Sequence, residues 1–344
     1  MYESFFGLTG KPFQLNPDPS FYYGSRGHKR AFAYLEYGLY QNEGFIIITG
    51  EVGAGKTTIV RSLLEQLDPA KVVAAQIVST QLDADDMLRA VGVAFGLPVK
   101  AVDKAMLLAS LEAFLCKLTI EKKRALLVVD EAQNLSARAV EELRMLSNFQ
   151  LGDQALLQSF LVGQPELRAM MQGSQMQQLR QRVIASYHLG PLDNTETQAY
   201  IEHRLKHVGW KDDPRFEPAC FELIHALTGG IPRRINTLCN RLLLAAFIAE
   251  RHALDVPDVH AVASEIREEL GADIALPTVA IVGGNPAVER PLTARMDPTL
   301  LHMHFDRLEE RIDRLEKTVS AAVDLLHRLL HPEKANKPSS PGGR

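Results

Sequence analysis

The run Gly50-Glu51-Val52-Gly53-Ala54-Gly55-Lys56-Thr57, followed by Thr58, fits the pattern GxxxxGK[ST]. Glycines at this spacing let the backbone curl so that successive N–H groups point inward and cradle phosphate oxygens. The helix that opens behind them adds partial positive charge. Lys56 is then expected to bridge β- and γ-phosphates, and the Thr57 hydroxyl to ligate Mg²⁺. The pattern carries meaning only between a strand and a helix. Both are present: Phe45-Ile46-Ile47-Ile48-Thr49 is a β-branched run without alternation, and Thr57 to Gln66 has a helical pattern.

A second group of residues completes the chemistry. Leu126-Leu127-Val128-Val129 is an apolar strand ending in Asp130 and Glu131. Phosphoryl transfer to water needs a metal to neutralise charge and a positioned nucleophile. Asp130 suits a Mg²⁺ held through water, and Glu131 can orient and polarise the attacking water. In Leu161-Val162-Gly163-Gln164-Pro165, Gln164 either bonds the γ-phosphate or that water, or simply forms a turn before the proline. Arg180 and Arg182, in Gln178-Leu179-Arg180-Gln181-Arg182-Val183, are not drawn to this chain's own phosphates by any strand pattern. They read as candidates for an arginine finger acting on a neighbour's nucleotide, or as a solvated helix face. Arg233 follows Gly229-Gly230-Ile231-Pro232, and Pro232 fits the first turn of a helix. It either reaches back to the phosphates or is a surface charge.

These residues need a scaffold, and the chain supplies one. The unalternating run Phe45–Thr49 suits a strand buried on both faces, Val72–Val78 reads as another strand, Ala125–Val129 as a third, buried one, and Leu156–Val162 as a fourth. Helical patterns lie between them: His28–Gln41, Thr57–Gln66 and two helices within 83–120. Such alternation predicts a parallel α/β sheet with helices on both faces. From Asn194 the strand signals stop, and Thr195–Val208, Pro218–Leu227, Pro232–Arg251 and Val256–Leu270 read as helices. The expected order is a P-loop domain with its N-terminal segment over 1–192 and a helical lid over 193–271. A linker over 272–298, a coiled coil over 299–331 and a disordered tail over 332–344 follow. In the coiled coil, Phe305, Ile312, Val319 and Leu326 occupy a, and Leu301, Leu308, Leu315, Ala322 and Leu329 occupy d. Branched a residues with Leu at d favour a parallel dimer. The other reading is one amphipathic helix folded back on its own domain.

Composition narrows the function. The chain has 344 residues, with 38 basic against 42 acidic and a net charge of −4. That balance disfavours nucleic acid, whose partners are usually basic. Cys116, Cys220 and Cys239 are far apart and form no metal-ligand cluster, so they read as core thiols. No apolar run approaches the roughly 20 residues of a membrane span. The first residues lack the basic-then-apolar layout of a secretory leader. A soluble, cytoplasmic protein is expected.

The chain resembles the AAA+ ATPases, and among them the ExeA/GspA family of type II secretion pathway A proteins. It is most similar to the secretion ATPases of exosortase/PEP-CTERM and exopolysaccharide loci. MYESFFGLTGKPF, PDPSFYYGSRGHKRA, GEVGAGKTT, VVDEAQNL, LVGQPEL, LRQRV and GGIPRRINTLCNRLL carry the resemblance, which covers about residues 1–270. It implies Mg²⁺-dependent ATP hydrolysis and a helical lid. By the same resemblance Lys56 and Thr57 are Walker A residues, and Asp130 and Glu131 are Walker B. Gln164 takes the sensor 1 position, Arg180 or Arg182 is the finger, and Arg233 is the sensor 2 arginine. The segment around Tyr23 to Arg30 would enclose the adenine. Secretion members usually continue into a membrane helix and a peptidoglycan-binding domain, where this chain has a linker, heptads and a tail. The implied partners are copies of this chain, in a ring or through the coiled coil, and an envelope secretion or polysaccharide export machinery at the inner membrane. Two other functions fit the same residues. One is a nucleotide-controlled oligomeric scaffold with slow hydrolysis; the other is an ATP-dependent helper of DNA transposition.

Overall fold

A computed structural model describes residues 1–270, apart from 17, 79–81 and 100–101. The expected linker, coiled coil and tail lie outside the described residues. In chain order, α1 is Tyr2–Phe5, α2 Arg26–Gln41, β1 Phe45–Gly50, α3 Lys56–Gln66, β2 Val72–Val78, α4 Ala84–Ala94, α5 Lys104–Ile120 and β3 Arg124–Asp130. Then come α6 Ala137–Leu146, the hairpin β4 Gln150–Leu151 with β5 Gln154–Ala155, β6 Leu157–Gly163, α7 Pro165–Gln172, α8 Gln177–Arg180 and β7 Val183–Leu189. The lid holds α9 Asn194–His207, β8 Arg215–Phe216, α10 Pro218–Thr228, α11 Pro232–Ile248, β9 Ala253–Leu254 and α12 Val256–Leu270.

Five strands form one parallel sheet in the order β2-β3-β6-β1-β7. Register brings Thr49 opposite Gly163, Val78 opposite Asp130 and Gly50 opposite Leu189, so all strands end at one edge. Side chains alternate between two apolar layers, as strand geometry requires. Phe45, Ile47, Leu127, Val129 and Leu161 pack against α4 to α7. Ile46, Ile48, Leu126, Val128, Phe160 and Val162 pack against Ala31 and Leu35 of α2 and Ile59, Val60 and Leu63 of α3. Side-chain caps start the helices: Ser25 for α2, Asp83 for α4, Asp103 for α5 and Ser136 for α6. At α9, Asp193 and Glu196 form a reciprocal capping box.

Two features depart from the sequence reading. The stretch after Arg182 is a fifth strand, β7, where no strand was expected. It lies at the sheet edge, so only its Ala185 and Leu189 are buried while Ser186 and His188 face water. The half-buried alternation was there to read, without the continuous apolar run of the inner strands. Second, the N-terminal segment packs mainly with the lid, and only Tyr22 joins the apolar cluster on the sheet's face. Tyr2, Phe6, Leu8, Phe13 and Phe21 join Tyr200, Ile201, Ile224, Leu238 and Leu242 in the lid's core. The lid also carries the short parallel pair β8–β9, which no sequence signal marked.

Candidate functional site

The glycine-rich turn leaves β1 at Gly50 and enters α3 at Lys56. Gly53 (φ +83°) and Gly55 (φ +99°) adopt the left-handed region that favours glycine. Each is also crowded from outside the turn. A Cβ at Gly53 would meet the Cβ of Arg233 at 2.3 Å, and one at Gly55 would meet Nε2 of His28 at 2.7 Å. These glycines therefore serve the approach of lid and α2 as well as the curl of the loop. No side chain caps the start of α3, so its first-turn N–H groups remain for an anion.

Lys56 is buried, and its Nζ donates to the Gly50 carbonyl at 2.7 Å and the Glu51 carbonyl at 3.0 Å. Burial lowers its proton affinity, against the opposing charges of Glu131 and Asp130. Thr57 Oγ1 donates to Asp130 Oδ2 at 3.0 Å, and Asp130 Oδ1 accepts from the Glu131 amide at 3.0 Å. Asp130 is 6% exposed. Two hard oxygen ligands side by side, one of them anionic, fit a Mg²⁺ that keeps several of its waters.

Glu131 stands at the tip of β3 with φ +54°. Its Oε2 accepts from Gln133 Nε2 at 2.6 Å and Gln164 Nε2 at 3.0 Å. Burial pushes its carboxyl up, but those two amides and the charge of Lys56 prevail and hold it below the usual carboxylate range. Because β6 lies beside β3 in the sheet, Gln164 comes next to Glu131. The bond it makes there is to the glutamate, and it is absent from the residues lining the cleft beside the glycine-rich turn.

Arg233 begins α11 beside the turn. Its amide donates to the Gly53 carbonyl at 3.2 Å, and its side chain lines the cleft. Arg180 and Arg182 stand apart. Arg180 Nη1 donates to the carbonyls of Met171 (2.6 Å) and Gly173 (2.7 Å). Arg182 donates to the Ser147 carbonyl at 2.9 Å and to Asn148. It precedes Val183, which is level with Phe45 at the foot of the sheet. Gly50 lies at the far end of the strand, about 20 Å away at the usual rise per residue.

The remaining wall of the cleft is the N-terminal strap: Gln14, Leu15, Asn16, Asp18, Phe21, Tyr22 and Tyr23, with His28 behind. The expected enclosing segment thus starts nine residues earlier than Tyr23. Arg204 bolts the strap down. It is 7% exposed, lies 4.7 Å over the Phe21 ring, and donates from Nε to the Pro12 carbonyl at 2.5 Å. Its Nη1 donates to Tyr200 Oη at 3.0 Å, and Tyr200 donates to Asn236 Oδ1 at 2.9 Å. Sequence reasoning missed Gln133, Tyr200, Arg204 and Asn236. Only Arg204 left a signal: it shares a helical stripe with Tyr200, Ile201, Leu205 and Val208, where a solvated arginine does not belong.

Residues 39–171 match the AAA domain family. General secretion pathway protein A of Aeromonas hydrophila is 40% identical over 267 residues, which take in 77% of this chain and 48% of that protein. The chain therefore spans about half the length of the relative it matches. Among solved structures, the Cdc6p of Pyrobaculum aerophilum gives a TM-score of 0.56 at 16% identity, covering 76% of this chain and 70% of that one. The ORC2 protein of Aeropyrum pernix gives 0.53 at 21%, covering 70% and 66%. At such identities the likeness is one of fold, and the fold is that of a P-loop AAA protein.

Proposed function

We propose that this AAA ATPase, a relative of a secretion pathway protein, runs a Mg²⁺-dependent hydrolysis cycle that serves an envelope secretion machinery. One observation carries the catalytic part: Lys56, Thr57, Glu131 and Arg233 line a single cleft, and Asp130 accepts a hydrogen bond from Thr57 at its edge. Lys56 and the open start of α3 bind the phosphates. Thr57 and Asp130 hold the metal, which when bound neutralises charge on the phosphate oxygens. Glu131 accepts a hydrogen bond from the attacking water and turns it toward the γ-phosphate. Arg233 ties the angle of α11 to the state of the turn through its amide bond to Gly53.

The test is turnover with ATP and Mg²⁺, alongside ATP binding. Glu131→Gln should bind ATP and lose turnover. Equal turnover in that variant sinks the assignment. Omitting Mg²⁺ should abolish turnover in the unaltered chain; activity that persists removes Thr57 and Asp130 from the metal role.

The secretion role rests on the 40% identity to protein A. Within it we favour the branch of exopolysaccharide and exosortase loci, and an assembly of several copies in which Arg180 or Arg182 completes a neighbour's site. A peripheral place at the cytoplasmic face of the inner membrane agrees with the described residues, none of whose helices is long and apolar enough to span a membrane. Turnover per chain should rise with protein concentration. A flat response across a hundredfold range would refute completion in trans.

A further inference from the structure

We propose that Gln133 is a positioning residue for Glu131: it braces the tips of β3 and β6 and turns the glutamate so that one carboxylate oxygen is left for the attacking water. This rests on the reading of Glu131 as the group that orients water.

The geometry is a closed ring of three residues, two of its bonds between side chains and one from the Gln164 backbone N–H. Gln133 sits in the single turn Ala132–Asn134 that follows the glutamate. Its Nε2 donates to Glu131 Oε2 at 2.6 Å, and its Oε1 accepts from the Gln164 amide nitrogen at 3.0 Å. Gln164 Nε2 then donates to the same Glu131 Oε2 at 3.0 Å. Both donors use one oxygen, and neither takes Oε1.

Three further observations say that the ring is built for Glu131. The glutamate itself has φ +54°, a conformation that a non-glycine residue keeps only when its surroundings hold it. Next, Gly163 makes room for the brace. A Cβ there would sit 2.8 Å from Gln133 Oε1. Finally, Glu131 lines the nucleotide cleft while Gln133 and Gln164 do not. Gln133 reaches the cleft through its bond to the glutamate.

The experiment compares Gln133→Leu, Gln133→Glu and Glu131→Gln in the full chain, measuring kcat, KM and ATP binding. Misplacing a reacting group by about 1 Å can cost on the order of 100-fold in rate. Gln133→Leu should therefore lose about 10- to 100-fold in kcat with KM and ATP binding unchanged. Gln133→Glu is nearly isosteric and replaces the donor with a like charge at neutral pH. It should show the same loss, and it guards against a leucine variant that fails to fold. If Glu131→Gln is inactive while both Gln133 variants match the unaltered chain, the brace is refuted and the glutamate's role stands. Loss of kcat together with ATP binding assigns Gln133 a merely structural part and also refutes the proposal. Full turnover in Glu131→Gln would remove the premise itself.

Discussion

The nucleotide edge of the sheet and the strap-covered lid face each other across one cleft, yet they are specified in opposite ways. At the edge, working residues come from short stretches directly after strands: Gly50–Thr58 after β1, Asp130–Gln133 after β3, Gln164 after β6. Backbone geometry delivers them, because parallel strands present their C-terminal ends together. At the lid, contacts join distant parts of the chain. Tyr2 Oη donates to Asn240, 238 residues away, and Arg204 to Pro12, 192 residues away. The edge holds chemistry on a rigid base, and the lid holds position. Damage to the first should remove function and leave the fold; damage to the second should lower both.

The sharpest test of that contrast is Phe13→Ala. Phe13 is 1% exposed in the lid cluster, and emptying such a site costs about 3–5 kcal/mol. Thermal denaturation should show a large drop in Tm, and ATP affinity should fall with it because the strap is released. Lys56→Ala should do the reverse. Loss of a charge aimed at the transferring phosphate costs on the order of 10²–10³ in rate, with Tm little changed. A matching drop in Tm would break the comparison. Arg204→Ala should fall between, leaving the Pro12 carbonyl without its buried donor at a cost of about 1–3 kcal/mol. It should weaken ATP binding more than kcat, which steady-state kinetics can separate. Glu202→Ala sets the floor: its pair with Lys206 at 2.8 Å is an exposed i,i+4 bridge, worth about 0.3–0.5 kcal/mol. Neither melting nor turnover should move appreciably.

The same contrast explains what was legible in the sequence. The placement of Lys56, Thr57, Asp130 and Glu131 was readable because it follows from local order after a strand, and Thr57 and Asp130 do meet at 3.0 Å. The inner strands were readable from their apolar stretches, β-branched in β1 and rich in Leu and Val in β3. Gln164 was readable by place but not by partner, since only the strand order shows that Glu131 is its neighbour. Gln133 gave no sign, because a glutamine in a turn is ordinary until Gly163 is seen to leave room for it. The strap was hidden for a different reason. Its Tyr2, Phe6 and Phe13 pack against helices two hundred residues on, and no window along the chain contains both partners.

The strap has a consequence for how the molecule is made. Tyr2 and its partner on α11 are 238 residues apart, and synthesis advances at about 5–20 residues per second. For roughly 10–50 s, a segment rich in phenylalanine and tyrosine therefore emerges from the ribosome with its hydrophobic destination still unwritten. During that interval the sheet can form around β1, β3 and β6 while the strap hangs free. The loop between Tyr2 and Asn240 cannot close before Asn240 has emerged, and until then the strap's buried aromatic faces stay open to water.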